Sequence, residues 1–167
     1  LSFALRLVPF RPPNIETILA VQTPFAKRYG FAAAFSFAFL NIAAFDAVTG
    51  KLGSWTFITS FTYGLLAVFS VWYFKKRAGS PLNFAIHAVY ATLLYDALTG
   101  LTIGPLFFGQ SFAEAAIGQL PFTAYHLLGN VAFGALLSPL ILRWIVANPR
   151  LEASNLRQLF SRPSSSI

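Results

Sequence analysis

The stretch Trp55-Thr56-Phe57-Ile58-Thr59-Ser60-Phe61-Thr62-Tyr63-Gly64-Leu65-Leu66-Ala67-Val68-Phe69-Ser70-Val71-Trp72-Tyr73-Phe74 carries no charge and runs directly into Lys75-Lys76-Arg77. At about 1.5 Å of rise per residue, an uncharged helix of this length crosses the roughly 30 Å hydrocarbon core of a bilayer. The basic triplet then marks the end of the span, as the loop-charge rule expects. Composition extends this reading to the whole chain. Only 10% of its 167 residues are charged, whereas 56% are hydrophobic and 17% aromatic. An ordinary soluble domain carries roughly 25% charge, and a soluble fold of this size could not cover so much apolar surface.

Outward from that helix, the chain reads as an all-α polytopic membrane protein: a compact bundle of about six transmembrane helices. Leu1 to Phe10 is apolar but short, so the first helix reads as truncated or only partly inserted, and Arg11-Pro12-Pro13-Asn14 stops it. A second helix restarts with Asn14 as N-cap and Glu16 in its first turn, and runs to Lys27-Arg28. A third covers about Tyr29 to Phe45 and the fourth Trp55 to Phe74. The fifth spans about Leu82 to Leu98. Thr99 to Leu120, with Gly100, Gly104, Pro105, Gly109 and Gly118, reads as a partly re-entrant or interfacial loop. The sixth helix begins near Pro121 and ends near Ala147, with a kink expected at Pro139. Residues 1–147 thus form the transmembrane domain, and 148–167 a polar, Ser-rich tail expected to be disordered.

The net charge of +7 is topological. Lys27, Arg28, Lys75, Lys76, Arg77, Arg143, Arg150, Arg157 and Arg162 fall on one face of this layout, and only Arg11 and Lys51 on the other, with Arg6 inside the first helix. The positive-inside rule makes the first face cytoplasmic, together with the C-terminus. Basic residues interleaved with apolar runs do not form the dense patch of a nucleic-acid binder, so nucleic acid is not expected as a partner. The chain has no cysteine, which excludes disulfides and thiolate metal sites.

Two short segments repeat. Phe45-Asp46-Ala47-Val48-Thr49-Gly50 recurs fifty residues later as Tyr95-Asp96-Ala97-Leu98-Thr99-Gly100. Both copies are expected at outer helix ends, closed by Gly50 and Gly100 in left-handed turns. The aspartates oppose the helix dipole there, so they either bond to nearby loop amides or border a ligand cavity.

Polar groups in a membrane bundle are costly and require a reason. Four of the five acids, Glu16, Asp46, Asp96 and Glu114, fall toward the outer side, near Asn14, Trp55, Thr59, Tyr63, Gln110, Tyr125, His126 and Asn130. A hollow with aromatic walls and a few convergent polar groups suits a small molecule, and the acids favour a cationic or donor-rich one. On the sixth helix, His126 and Asn130 are one turn apart on a single face, joined by Thr123, and such a stripe should face the bundle. His87 lies about 15 Å away in depth by helical rise, which argues against a shared metal or a haem. Nucleophile–base pairs and phosphate loops are absent by motif. No cofactor, metal or catalytic residue is therefore expected. Gly30, Ala34 and Ala38, and likewise Ala32 and Ser36, form small-residue stripes that either pack internally or dock another membrane subunit.

Pro13-Asn14-Ile15-Glu16 resembles the Pro-Asn-aliphatic-Glu opening of the substrate-binding S components of energy-coupling factor (ECF) transporters. The run from Asp46 to Thr56, Asp-x-x-Thr-Gly-x-x-Gly-x-Trp-Thr, is similar to that family's loop between helices 3 and 4. The Pro121-Phe122-x-x-x-His126-Leu127-Leu128-Gly129-Asn130 entry to helix 6 is similar too. The resemblance implies a vitamin- or micronutrient-capturing subunit in the cell (inner) membrane with an outward pocket. By that resemblance the pocket holds Asn14, Glu16, Asp46, Trp55, Tyr95, Asp96, Gln110, His126 and Asn130, to which the polar residues grouped above add Thr59. It also implies a transmembrane coupling subunit and two ATPase subunits as partners. The family docks through helix 1, which is too short here for that surface to be carried over. The alternative is a non-transporting membrane scaffold of the cell envelope, whose acids would lie in solvated loops.

Overall fold

The computed structural model describes residues 2–8 and 16–151; Asn14, Arg11 and most of the polar tail lie outside them. Among the described residues the chain is entirely helical. In order, the helices are α1 (Ser2–Arg6), α2 (Ile18–Tyr29), α3 (Phe31–Val48), α4 (Ser54–Phe74), α5 (Pro81–Phe107) and α6 (Phe112–Ile141). The last continues through a π-helical turn, Leu142–Val146, and a single 3₁₀ turn, Pro149–Leu151, follows. Four of these are long and apolar enough to cross a membrane: α3, α4, α5, and α6 with its π turn. Leu82, Leu106, Leu128 and Leu136 are each about 70% exposed around them, a surface stable only against lipid. The chain is a polytopic helical membrane bundle.

The two remaining helices differ from full spans. Helix α1 has five residues, and α2 has only twelve. Helix α2 compensates by being enclosed: Ile18 to Pro24 are buried without interruption, and it touches α3, α4, α5 and α6. Its Pro24 supplies no N–H, so the carbonyl of Ala20, four residues earlier, loses its helical donor. Ser138 of α6 fills that role, donating from Oγ to Ala20 O at 2.8 Å. Lipid offers no hydrogen bond to a freed carbonyl, and a neighbouring hydroxyl is the usual remedy.

Helix α3 shows how the sequence sets the packing. Ala34, Ala38, Ile42 and Asp46 are its only buried residues, one every fourth position, and so one stripe. The first two let α2 and α4 approach closely. Ala34 packs with Ala26 and Ala67, and Ala38 and Ile42 pack with Ile18, Leu19, Tyr63 and Leu66. Ala34 and Ala38 of the expected stripe therefore serve internal packing, whereas Gly30 makes the left-handed junction between α2 and α3, and Ala32 and Ser36 lie on the exposed face.

At the basic end, Lys27 donates to Arg77 O at 2.7 Å and the Tyr29 hydroxyl to Val146 O at 3.0 Å. These bonds tie the ends of α2, α4 and α6 together, so Lys27, Arg28, Lys75, Lys76, Arg77 and Arg143 share one end of the bundle.

Three expectations about the helix boundaries are corrected. Helix α5 does not stop near Leu98 but continues to Phe107, and Gly100 lies inside it without a left-handed backbone. Helix α6 begins at Phe112, not Pro121, because Ser111 and Glu114 form a capping box: Ser111 N donates to Glu114 Oε2 at 2.8 Å, and Glu114 N to Ser111 Oγ at 3.2 Å. Thr99 to Leu120 is thus two helix ends joined at Phe108–Ser111, with no re-entrant loop. In the first half, α2 begins at Ile18 with Thr17 as its N-cap residue, so Glu16 precedes the helix instead of sitting in its first turn.

Candidate functional site

The inward stripe of α3 ends on Asp46, which is 6% exposed. Its carboxylate accepts a hydrogen bond from Thr56 Oγ1 at 2.6 Å. Thr56 lies in the first turn of α4, and its hydroxyl also accepts from Gly53 N at 3.1 Å. One side chain thereby fixes the loop between α3 and α4 and orients the acid. Thr59, one turn from Trp55, returns its hydroxyl to Trp55 O at 2.7 Å.

Glu16 approaches from the segment before α2. Its carboxylate lies 3.6 Å from Arg6 Nη2 and 3.4 Å from the Tyr63 hydroxyl, which donates to it. Arg6 in turn lies 4.5 Å over the Phe45 ring, which fixes α1 against the end of α3. The Tyr63 ring meets Tyr95 of α5 at 4.5 Å.

Together these groups enclose a hollow of about 130 Å³ lined by Arg6, Glu16, Ile42, Asp46, Trp55, Thr59, Tyr63 and Tyr95. Five of the expected site residues converge on it: Glu16, Asp46, Trp55, Thr59 and Tyr95. They come from four parts of the chain. Two carboxylates face one guanidinium there, so the formal lining charge is negative by one.

Asp96, His126 and Asn130 do not line the hollow. They form a second layer behind Tyr95, between α5 and α6. His126 Nδ1 lies 2.7 Å from Asp96 Oδ1, and both residues are at most 3% exposed. The His126 ring meets Tyr95 and Phe122 edge-on at 5.6 and 5.5 Å. One turn further along α6, Asn130 Nδ2 donates to Thr92 Oγ1 at 2.9 Å. The stripe expected from His126 and Asn130 thus faces the bundle. Asp46 and Asp96 bond to side chains elsewhere in the fold, not to loop amides.

Gln110 does not line the hollow either. It sits on the exposed Phe108–Ser111 connection, its backbone N–H donating to Gly104 O at 3.3 Å and its side-chain amide packed on Gly104, and it takes no part in the hollow. Glu114 caps α6, and Tyr125 is 60% exposed on the outer surface. Asn14 lies outside the described residues.

Sequence reasoning misses Arg6, Ile42, Thr56 and Thr92. A lone cation in a short apolar run signals Arg6. The one-turn spacing that picks out His126 and Asn130 also relates Thr92 to Asp96 on α5. Ile42 carries no signal beyond its place on the α3 stripe.

No family model, curated protein or solved structure matches the chain. The site's meaning therefore rests on its geometry and on the motifs read from the sequence.

Proposed function

We propose that this protein is the substrate-capture subunit of an ECF-type uptake transporter for a vitamin or related micronutrient, working in the cell (inner) membrane. On this reading, the acidic hollow opens outward and the basic end, with the C-terminus, faces the cytoplasm. Delivery depends on a transmembrane coupling subunit and two ATPase subunits. The chain binds its substrate without transforming it and needs no cofactor.

The observation that supports this most is the convergence of Glu16, Asp46, Trp55, Thr59 and Tyr95, from four separate parts of the chain, on one hollow beside a buried second polar layer. A scaffold has no need to bury Asp46 and Asp96 inside a membrane bundle, because each costs desolvation energy that lipid does not return. The lining suits a flat or compact cation: carboxylates neutralise it, and the faces of Trp55, Tyr63 and Tyr95 attract it.

Typical small-molecule pockets measure roughly 300–1,000 Å³, so a vitamin must widen a hollow of about 130 Å³. Helix α1 is the element to move. It is five residues long, packs on α3, and places Arg6 across the hollow against Glu16.

A thermal-shift screen of the purified protein in detergent against vitamins and their precursors tests the reading. A ligand present at 1,000 times its Kd stabilises by about 4 kcal/mol. A selective shift is expected with one ligand class, and Asp46→Asn should abolish it. If no vitamin or precursor shifts the wild-type protein, capture is wrong and the scaffold alternative stands.

A further inference from the structure

Away from the acidic hollow, α4 and α5 border a groove of about 300 Å³ lined by Phe69, Trp72, Tyr73, Arg77, Tyr90 and Leu94. We propose that this groove seats an acyl chain of an anionic phospholipid whose phosphate is held by Arg77. The inference is independent of the transport reading.

The groove's shape and chemistry select the occupant. Trp72, Tyr90 and Leu94 are 67%, 57% and 40% exposed, so the groove opens on the lipid-facing surface. Along α4 it follows Phe69 to Tyr73, about 6 Å of helical rise, and it continues past the end of that helix to Arg77. One leaflet of the hydrocarbon core is roughly 15 Å deep. The back wall offers an incoming molecule little polar chemistry. Phe69 stacks on His87 at 5.2 Å, Tyr73 meets the same ring edge-on at 5.3 Å, and His87 Nε2 is already engaged by Ser70 Oγ at 2.9 Å. The body of the ligand must therefore be apolar.

Its head must be anionic. The Arg77 guanidinium lies 4.3 Å over the Tyr73 ring and donates from Nη1 to Tyr73 O at 3.0 Å. That contact orients the guanidinium and uses one of its five N–H donors. Lys27 holds the Arg77 carbonyl at 2.7 Å, so the backbone beneath is fixed as well. Lys75 and Lys76 are exposed beside it, and no Asp or Glu occurs between Asp46 and Asp96 to neutralise this hairpin. A basic site between two spanning helices at the bilayer surface suits a phosphate with no compensating ammonium. An oriented guanidinium adds bidentate geometry that lysine lacks.

Native mass spectrometry of the full chain, released from detergent with equimolar phosphatidylglycerol and phosphatidylcholine of identical tails, tests this. Phosphatidylglycerol should be retained about fivefold over phosphatidylcholine, the factor expected for one basic contact. Arg77→Gln should bring that ratio near one, whereas Lys51→Gln, on an exposed residue of the α3–α4 loop, should leave it unchanged. Leu94→Trp fills the groove from an exposed position and should lower retention of both lipids. The proposal is overturned by equal retention of the two lipids in the wild type. A preference that survives Arg77→Gln, or retention unaffected by Leu94→Trp, overturns it equally.

Discussion

Phe45-Asp46-Ala47-Val48-Thr49-Gly50 and Tyr95-Asp96-Ala97-Leu98-Thr99-Gly100 behave alike up to the threonine and differently beyond it. In both, the aspartate is buried. In both, the threonine hydroxyl returns to the carbonyl four residues back, Thr49 to Phe45 O at 2.8 Å and Thr99 to Tyr95 O at 2.9 Å. The first copy then ends its helix, with Gly50 at φ +68°; the second continues two turns to Phe107. The residues after each glycine account for the difference. Lys51-Leu52-Gly53 leads the chain out of the bundle, whereas Leu101-Thr102-Ile103 adds no charge and continues α5, whose Gly100 lies against the Gln119 side chain of α6. Six residues determine which face of a helix points inward. They do not determine where the helix stops.

The two acids also find different partners, and the largest expected effect tests that difference. Asp96 pairs with the His126 imidazole, whereas Asp46 takes a hydroxyl hydrogen bond and borders the hollow. Removing the imidazole leaves a carboxyl group in a closed, water-poor site, a loss of about 3–5 kcal/mol. His126→Ala should therefore lower unfolding free energy in mixed detergent–SDS micelles by that amount. Adding Asp96→Asn should recover a substantial part, because the carboxyl group left without its partner is gone. If the single variant unfolds like the wild type, the pair does not hold α5 to α6.

The Asp46 copy should respond less. Thr56→Val removes the hydroxyl that donates to Asp46 and accepts from Gly53 N, but Asp46 borders the hollow and can be partly hydrated. A hydrogen bond to a charged group contributes about 1.5–3 kcal/mol, so a loss of about 2 kcal/mol is expected in the same measurement. Thr56→Ser keeps the hydroxyl and should lose only about 1 kcal/mol, the cost of one buried methyl group. A Thr56→Val loss as large as that of His126→Ala would mean that the two acids sit in equivalent surroundings.

How much of the molecule is legible in its sequence depends on the range of the interaction. Membrane character comes from composition, and the inward faces of α3 and α6 come from four-residue spacing, as Ala34-Ala38 and His126-Asn130 show. Convergence on the hollow is legible for five residues, because burying polar groups in lipid forces them to meet. The end of α5 escapes the reading because glycine and proline usually break helices, whereas Gly104 and Pro105 sit near the end of one that packs on α6. The start of α6 is legible in Ser111-x-x-Glu114 but overshadowed by Pro121. The split into a hollow and a separate layer behind Tyr95 is not legible, since it depends on how far α5 and α6 approach one another.

The smallest effects separate the two glycines. Gly50 adopts φ +68° with open space around it, so its cost on substitution is conformational and not steric. An alanine there costs about 1–2 kcal/mol for the left-handed backbone. Gly100 is helical, and a Cβ on it would overlap the Gln119 side-chain amide. That amide is the far end of a flexible side chain and can swing aside, giving up its 3.3 Å hydrogen bond to Thr123. The loss of about 0.5–1 kcal/mol is offset by alanine's advantage of about 1 kcal/mol over glycine in a helix. Gly50→Ala should thus destabilise by about 1–2 kcal/mol, and Gly100→Ala should stay within about 0.5 kcal/mol of wild type. Equal losses would mean that Gly100 is held by something other than the Gln119 amide, and that the two copies end in more similar surroundings than their backbones indicate.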